Sequence, residues 1–259
     1  SDVCSSDLPG LAGAPAVLVP LNRNELSLEP TAAGRLAGLP AIAGRLSVTE
    51  LAGRLREAYG LFTRGHFKEA LAAFRGLFAL IVCADDSSKQ DADELDELAG
   101  ICREYVLALM MELRRRELAA QKADPKRQLE LAAYLTHCRL QMPHLVLVLR
   151  AAMNAAFSNK NYLTAAAFAR RLLDLSPKQD IATMAHKVCQ FADANQSNAF
   201  VLDYDEHNPF VTCAFAFAPI YRGSAVAACP FCGASATPDH ASECCPVCEL
   251  AAIASSDRR

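Results

Sequence analysis

The chain has 259 residues, 52% hydrophobic and 21% charged, with a formal net charge of −3. That apolar content is too high for a chain that stays disordered, and the near-neutral charge excludes the broad basic footprint of a non-specific nucleic-acid binder. Of its 11 cysteines, five crowd into residues 229–248, which points to a reducing compartment and one local metal site instead of a spread disulfide framework.

Residues 1–8 look foreign to the rest of the chain. The run Val3-Cys4-Ser5-Ser6-Asp7-Leu8 reads as a translated library-adapter scar, which would make the chain a C-terminal fragment of a longer protein. Residues 9–46, rich in Pro, Gly and Ala without a sustained period, read as an irregular extension. The apolar stretch at 11–20 is broken by Gly13, Pro15 and Pro20 and has no basic residue before it, so it is not a signal peptide. The run at 145–157 carries Arg150 and Asn154 and is shorter than the roughly 20 residues of a membrane span.

Helical periodicity begins at Ser47, where Ser47-Val48-Thr49-Glu50 has capping-box spacing. Leu51, Leu55, Ala58, Tyr59 and Phe62 follow on one face; after a break at Gly65, Phe67, Ala70, Leu71, Phe74, Leu77, Phe78 and Ile81 resume it, predicting an antiparallel helix pair. The acidic stretch 85–97 is predicted to start as a loop and become the first turn of a third helix, striped by Leu95, Leu98, Cys102, Tyr105, Val106, Leu109 and Leu113. Arg114-Arg115-Arg116 reads as the solvated end of that helix. A fourth helix is predicted from Asp124-Pro125 with the face Leu129, Ala132, Ala133 and Thr136. A fifth starts near Pro143, a sixth covers 162–175 and a seventh about 181–192.

Leu61, Gly65, Phe67, Ala70, Phe74 and Leu77 have the spacing of the second half of a tetratricopeptide (TPR) repeat. Ala156, Tyr162, Ala165, Ala169, Leu172 and Pro177 recur 95 residues later. True repeats and a generic α-solenoid both remain open; either buries a shared face by stacking helix pairs. After Asn198 the period changes to two. Phe200, Leu202 and Tyr204 alternate with polar residues, and Val211, Cys213, Phe215 and Phe217 with others, predicting strands. The predicted organisation is thus mainly α: a TPR-like helical domain over 47–197, a small β module with a zinc-ribbon-like site over 198–253, and a tail over 254–259.

Cys229-Pro-Phe-Cys232-Gly233 is followed by Cys245-Pro-Val-Cys248. Two such pairs are the spacing of a structural zinc site, each forming a tight turn that presents two thiolates to one tetrahedral ion. Cys229, Cys232, Cys245 and Cys248 are therefore the predicted ligands, with Cys244 a rival and His240 a weaker substitute. Four thiolates close the coordination sphere and leave no place for water or substrate. Residues 223–257 contain no Lys or Arg, so phosphate binding by this module is not expected.

The other chemistry-bearing residues read as structural. Cys102, Cys138, Cys189 and Cys213 sit in or beside apolar faces as core thiols. His137 beside Cys138 is a sequence neighbour and not thereby a spatial pair, and His66, His144 and His186 are isolated on helices. No P-loop, Gly-x-Ser-x-Gly or His-Glu-x-x-His occurs, so no enzymatic activity is expected.

Several strings in order, Ile101-Cys-Arg-Glu-Tyr-Val, Ala133-Tyr-Leu-Thr-His, Leu147-Val-Leu-Arg, Thr164-Ala-Ala-Ala-Phe-Ala-Arg-Arg-Leu-Leu, Tyr204-Asp-Glu-His-Asn-Pro-Phe and Pro219-Ile-Tyr-Arg-Gly, resemble the C-terminal domain of the coatomer α-subunit family. The resemblance implies a structural piece of the COPI coat in Golgi-to-ER and intra-Golgi vesicle transport, docking the ε subunit and other coatomer subunits. It further implies a cytoplasmic protein held peripherally on Golgi membranes and coated vesicles, with no small-molecule substrate. The family's β-propellers and long α-solenoid lie outside this sequence, and the segment upstream of residue 9 that adds to the binding of the ε subunit is expected to be cut short. The alternative is an unrelated TPR-like plus zinc-ribbon interaction adaptor; a metalloenzyme is a third, requiring an open coordination position.

Overall fold

Ser47 starts the first helix by the predicted exchange: its hydroxyl accepts from the Glu50 N–H, and the Glu50 carboxylate accepts from the Ser47 N–H at 3.0 Å. The computed structural model describes residues 46–84 and 88–254. The predicted adapter scar, almost all of the extension after it and most of the tail lie outside them. The described helices are α1 (Val48–Thr63), α2 (Phe67–Val82), α3 (Lys89–Ala120), α4 (Pro125–Leu135), α5 (Met142–Ser158), α6 (Tyr162–Asp174) and α7 (Gln179–Ala194). Sequential neighbours from α1 to α7 pack on one another.

Two of these helices differ from their sequence reading. The third starts at Lys89, where the Ser88 hydroxyl accepts from the Asp91 N–H at 3.0 Å, and it continues past the arginine triplet to Ala120. Arg115 and Arg116 are held by Glu112, Arg114 by Glu117, and Arg116 also lies 4.3 Å from the Phe67 ring centre. Arg114 and Arg116 are solvent-exposed as read, but the triplet is a paired stretch one turn inside the helix and not its end.

The fourth helix buries two faces where its pattern predicted one. Leu131, Tyr134 and Leu135 enter a core shared with α1–α3 and the C-terminal residues, while Leu129, Ala132 and Ala133 enter a second core with α5–α7. A helix apolar on both sides has to sit between layers, and α4 is the seam of this molecule.

The run at Phe200, Leu202 and Tyr204 alternates in burial as read, but it bends at residues 200 and 203 and joins no sheet. Side chains take the place of a neighbouring strand. The Asn198 side-chain Oδ1 accepts from the N–H groups of Leu163 and Thr164 at the start of α6, Asn161 just before α6 bonds both main-chain polar groups of Phe200, Glu130 of α4 accepts from the Asp203 N–H, and Tyr134 of α4 donates to the Asp203 carbonyl. Period two identified a half-buried alternating segment but not its partner, because a strand and a segment strapped across helices present the same alternation.

Beyond it, β1 (Phe210–Thr212) pairs antiparallel with β2 (Pro219–Tyr221), and β3 (Ala227–Ala228) with β4 (Ser235–Ala236). Cys213, Phe215 and Phe217, predicted as strand, form the turn between β1 and β2. Bridges Cys244↔Ala252 and Ala228↔Ala254 close the end of the module. Its apolar residues belong to the same core as α1–α3, so the C-terminal segment packs back against the first helices instead of extending the stack beyond α7. No described helix is long and apolar enough to cross a membrane.

Candidate metal centre

Cys229 and Cys232 occupy one tight turn and Cys245 and Cys248 another. In each, the N–H of the fifth residue donates to the carbonyl of the first: Gly233 to Cys229 and Glu249 to Cys245, both at 2.9 Å. The fifth position is left-handed in both turns, Gly233 and Glu249 having φ of +72° and +59°, a conformation glycine adopts without steric cost. The turns bring the four sulphurs within 4.8 Å of one another, all four residues being buried.

The Sγ separations Cys229–Cys248 and Cys232–Cys245 are both 3.7 Å. A disulfide requires about 2.05 Å. A tetrahedral ion with bonds of about 2.3 Å to sulphur places its ligands about 3.8 Å apart, so the spacing fits the metal. The crowding also disturbs the thiols: hydrogen bonds from Cys232, Cys245 and Cys248 pull Cys229 far below the ordinary thiol range, while contact with Cys229 pushes Cys232 up.

The rival ligands lie outside the cluster. Cys244 is exposed, its neighbour Cys245 facing inward instead. His240 stacks on Phe215 with ring centres 4.0 Å apart and bonds Glu243 at 3.1 Å.

A third turn has the same construction without a second cysteine. Cys213 opens it, the Phe217 N–H donates to the Cys213 carbonyl at 2.9 Å, and Phe217 has φ of +49°. Cys213, Cys229 and Cys245 are spaced 16 residues apart, and Ala216 stands where Cys232 and Cys248 stand in the other two. Sequence reasoning missed this repeat; the equal spacing was its available signal.

Elsewhere the polar groups are engaged structurally. His144, read as isolated, is buried with both ring nitrogens bonded: Nδ1 to the Tyr105 hydroxyl at 2.6 Å and Nε2 to Thr63 Oγ1 at 2.8 Å. Thr63 donates its proton to the Tyr59 carbonyl, so Nε2 carries the imidazole proton and donates to Thr63, which leaves Nδ1 of the neutral ring to accept from the Tyr105 hydroxyl. Burial lowers the pKa of this histidine. His137 turns to the Tyr204 hydroxyl at 2.5 Å and to Arg171, making no pair with Cys138. Burial pushes Cys102 up to about 12 and raises Cys138 as well, which keeps both thiols protonated at neutral pH.

Residues 3–257 match the family model that describes the C-terminus of the coatomer (COPI) alpha subunit. The chain is 40% identical over 247 residues to coatomer subunit alpha of Dictyostelium discoideum, covering 93% of this chain and 19% of that protein. It is 45% identical over 205 residues to coatomer subunit alpha-1 of Arabidopsis thaliana, covering 79% and 17% respectively. Against coatomer subunit alpha of Saccharomyces cerevisiae the identity is 31% over 195 residues, covering 75% of this chain and 16% of the relative. The chain thus spans about a fifth of the length of these relatives or less.

Proposed function

Since the chain belongs to the family of coatomer (COPI) alpha C-terminal domains, we propose that it is a structural piece of the COPI coat, acting in Golgi-to-ER and intra-Golgi vesicle transport by docking the ε subunit and other coatomer subunits. The observation that carries this reading is the family match across the helical layers and the cysteine module together. Stacked TPR-like helices over 47–197 offer surface to a partner, and binding to such a surface draws its energy from a few buried anchors, with no reaction performed. The protein works from the cytoplasm, associated peripherally with Golgi membranes and coated vesicles through the coat.

In this reading Cys229, Cys232, Cys245 and Cys248 hold one structural zinc ion in a zinc-ribbon-like module over 198–253. Zinc supplies folding energy to two turns that bury few large side chains of their own, and four thiolates leave no position for a substrate. The saturated His144 and the raised Cys102 and Cys138 support a non-enzymatic role.

Co-purification of the tagged chain with separately expressed ε subunit tests the docking. A stable complex at one-to-one stoichiometry is the expected result. If no coatomer subunit is retained, even when the chain carries the family's upstream segment, the coat assignment is wrong and an unrelated adaptor role takes its place.

A further inference from the structure

The three Cys-headed turns are each gripped by an arginine from a different helix. Arg75 of α2 donates to the Pro246 carbonyl at 2.6 Å and pairs with Glu249 at 2.8 Å. Arg103 of α3 donates to the Cys232 carbonyl at 3.2 Å, its guanidinium held by Glu104 at 2.9 Å. Arg127 of α4 donates to the carbonyls of Ala216 and Phe217 at 2.7 and 3.1 Å. Two of these grips fall on the metal-bearing turns: Cys232 is itself a ligand residue, and Pro246 and Glu249 flank the Cys245 and Cys248 ligands. Phe231, between the cysteines of the first metal-bearing turn, meets Phe78 of α2 at 5.9 Å between ring centres. The third grip falls on the turn with a single thiol.

We propose that Arg75 and Arg103 are positioning residues for the four-thiol centre, so that metal binding and the docking of its two turns on α2 and α3 form one coupled equilibrium, while the Cys213 hairpin docks on α4 through Arg127 without metal. The inference rests on the zinc reading above. Outer partners that fix ligand-bearing backbone raise metal affinity by presenting the ligands already placed. Coupling is reciprocal, so the metal must strengthen the docking by the same factor that docking strengthens the metal. Loading with metal would then tie residues 229–253 to the early helices, with which they share a core.

The test uses the full chain loaded with one equivalent of zinc. Hydrogen exchange before and after chelation of the unaltered protein should show the Gly233 and Glu249 amides losing protection while the Phe217 amide keeps it. Competition with a chromophoric chelator should show zinc affinity lowered about tenfold or more in Arg103→Gln and further in the Arg75→Gln/Arg103→Gln double variant. Arg103→Lys should recover part of the loss, and Arg127→Gln should leave zinc affinity unchanged. Unaltered exchange in α1 and α3, which share the core of the substituted residues, as well as in α6 and α7 checks that each variant is folded, and the chelation experiment needs no variant. Wild-type zinc affinity in the double variant, or release of Phe217 together with Gly233 on chelation, would overturn the inference with the zinc reading intact. A protein that binds no zinc at all would overturn both.

Discussion

Asn161 and Phe200 exchange two hydrogen bonds across 39 residues: the asparagine Nδ2 donates to the Phe200 carbonyl at 3.0 Å, and the Phe200 N–H donates to its Oδ1 at 2.9 Å. One fully buried side chain thereby supplies what a neighbouring strand would supply, which is how an irregular segment can be held against helices.

Replacing that asparagine by leucine keeps the volume roughly constant and leaves both main-chain groups of Phe200 without a partner. At about 1–3 kcal/mol for each orphaned group, the expected loss of stability is about 2–6 kcal/mol in urea unfolding. Asn198→Ala, whose side chain caps α6 at an exposed position, should cost about 1 kcal/mol. Equal effects of the two substitutions would contradict the importance assigned to the buried exchange.

Acidification should weaken the fold through its histidines. A histidine whose folded pKa is lowered favours folding fully above its unfolded value of about 6.5, and that contribution is lost as pH falls toward the folded value. His144 is lowered by burial, and His137 is brought down to about 4 by burial and by the Arg171 charge. The melting temperature should fall between pH 6.5 and pH 4, and His144→Gln should flatten that dependence while lowering stability at pH 7. An unchanged pH slope in the variant would show that His144 is not responsible.

Metal analysis of single cysteine variants separates ligand from neighbour. Cys245→Ser should lose bound zinc and lower the melting temperature, since a structural zinc site contributes on the order of 10 kcal/mol to a small module. Cys244→Ser should keep one equivalent, its residue being exposed. The reverse pattern would place Cys244 among the ligands.

Gly233 is constrained twice, by its φ of +72° and by Arg103, whose Nη1 lies 2.8 Å from where a Cβ would stand. Gly233→Ala should cost about 1–2 kcal/mol for the left-handed backbone alone, and more because Arg103 must shift from the Cys232 carbonyl. Gly65→Ala, with a similar φ of +78° but open space around it, should show the backbone cost only. Thermal melts of the two variants compare these directly, and equal losses would remove Arg103 from the explanation.

Much of the local architecture was legible in the chain itself. Ser47 and Glu50, Asp124 and Pro125, and the 3.6-residue stripes specify where helices begin and which face they bury, because capping and amphipathicity act within one or two turns. The spacing of Cys229, Cys232, Cys245 and Cys248 likewise announced a four-sulphur cluster, since each pair lies within a single turn. What the tertiary structure decided were relationships without local periodicity: α4 as a seam with two buried faces, His144 sealed by Thr63 and Tyr105, residues 200–204 strapped across helices, and the cysteine turns gripped by Arg75, Arg103 and Arg127. The arginines reach their carbonyls across 171, 129 and 89 residues. At such separations nothing in neighbouring side chains favours one partner over another; the choice is made when buried faces exclude water together and each remaining polar group must find a partner within reach.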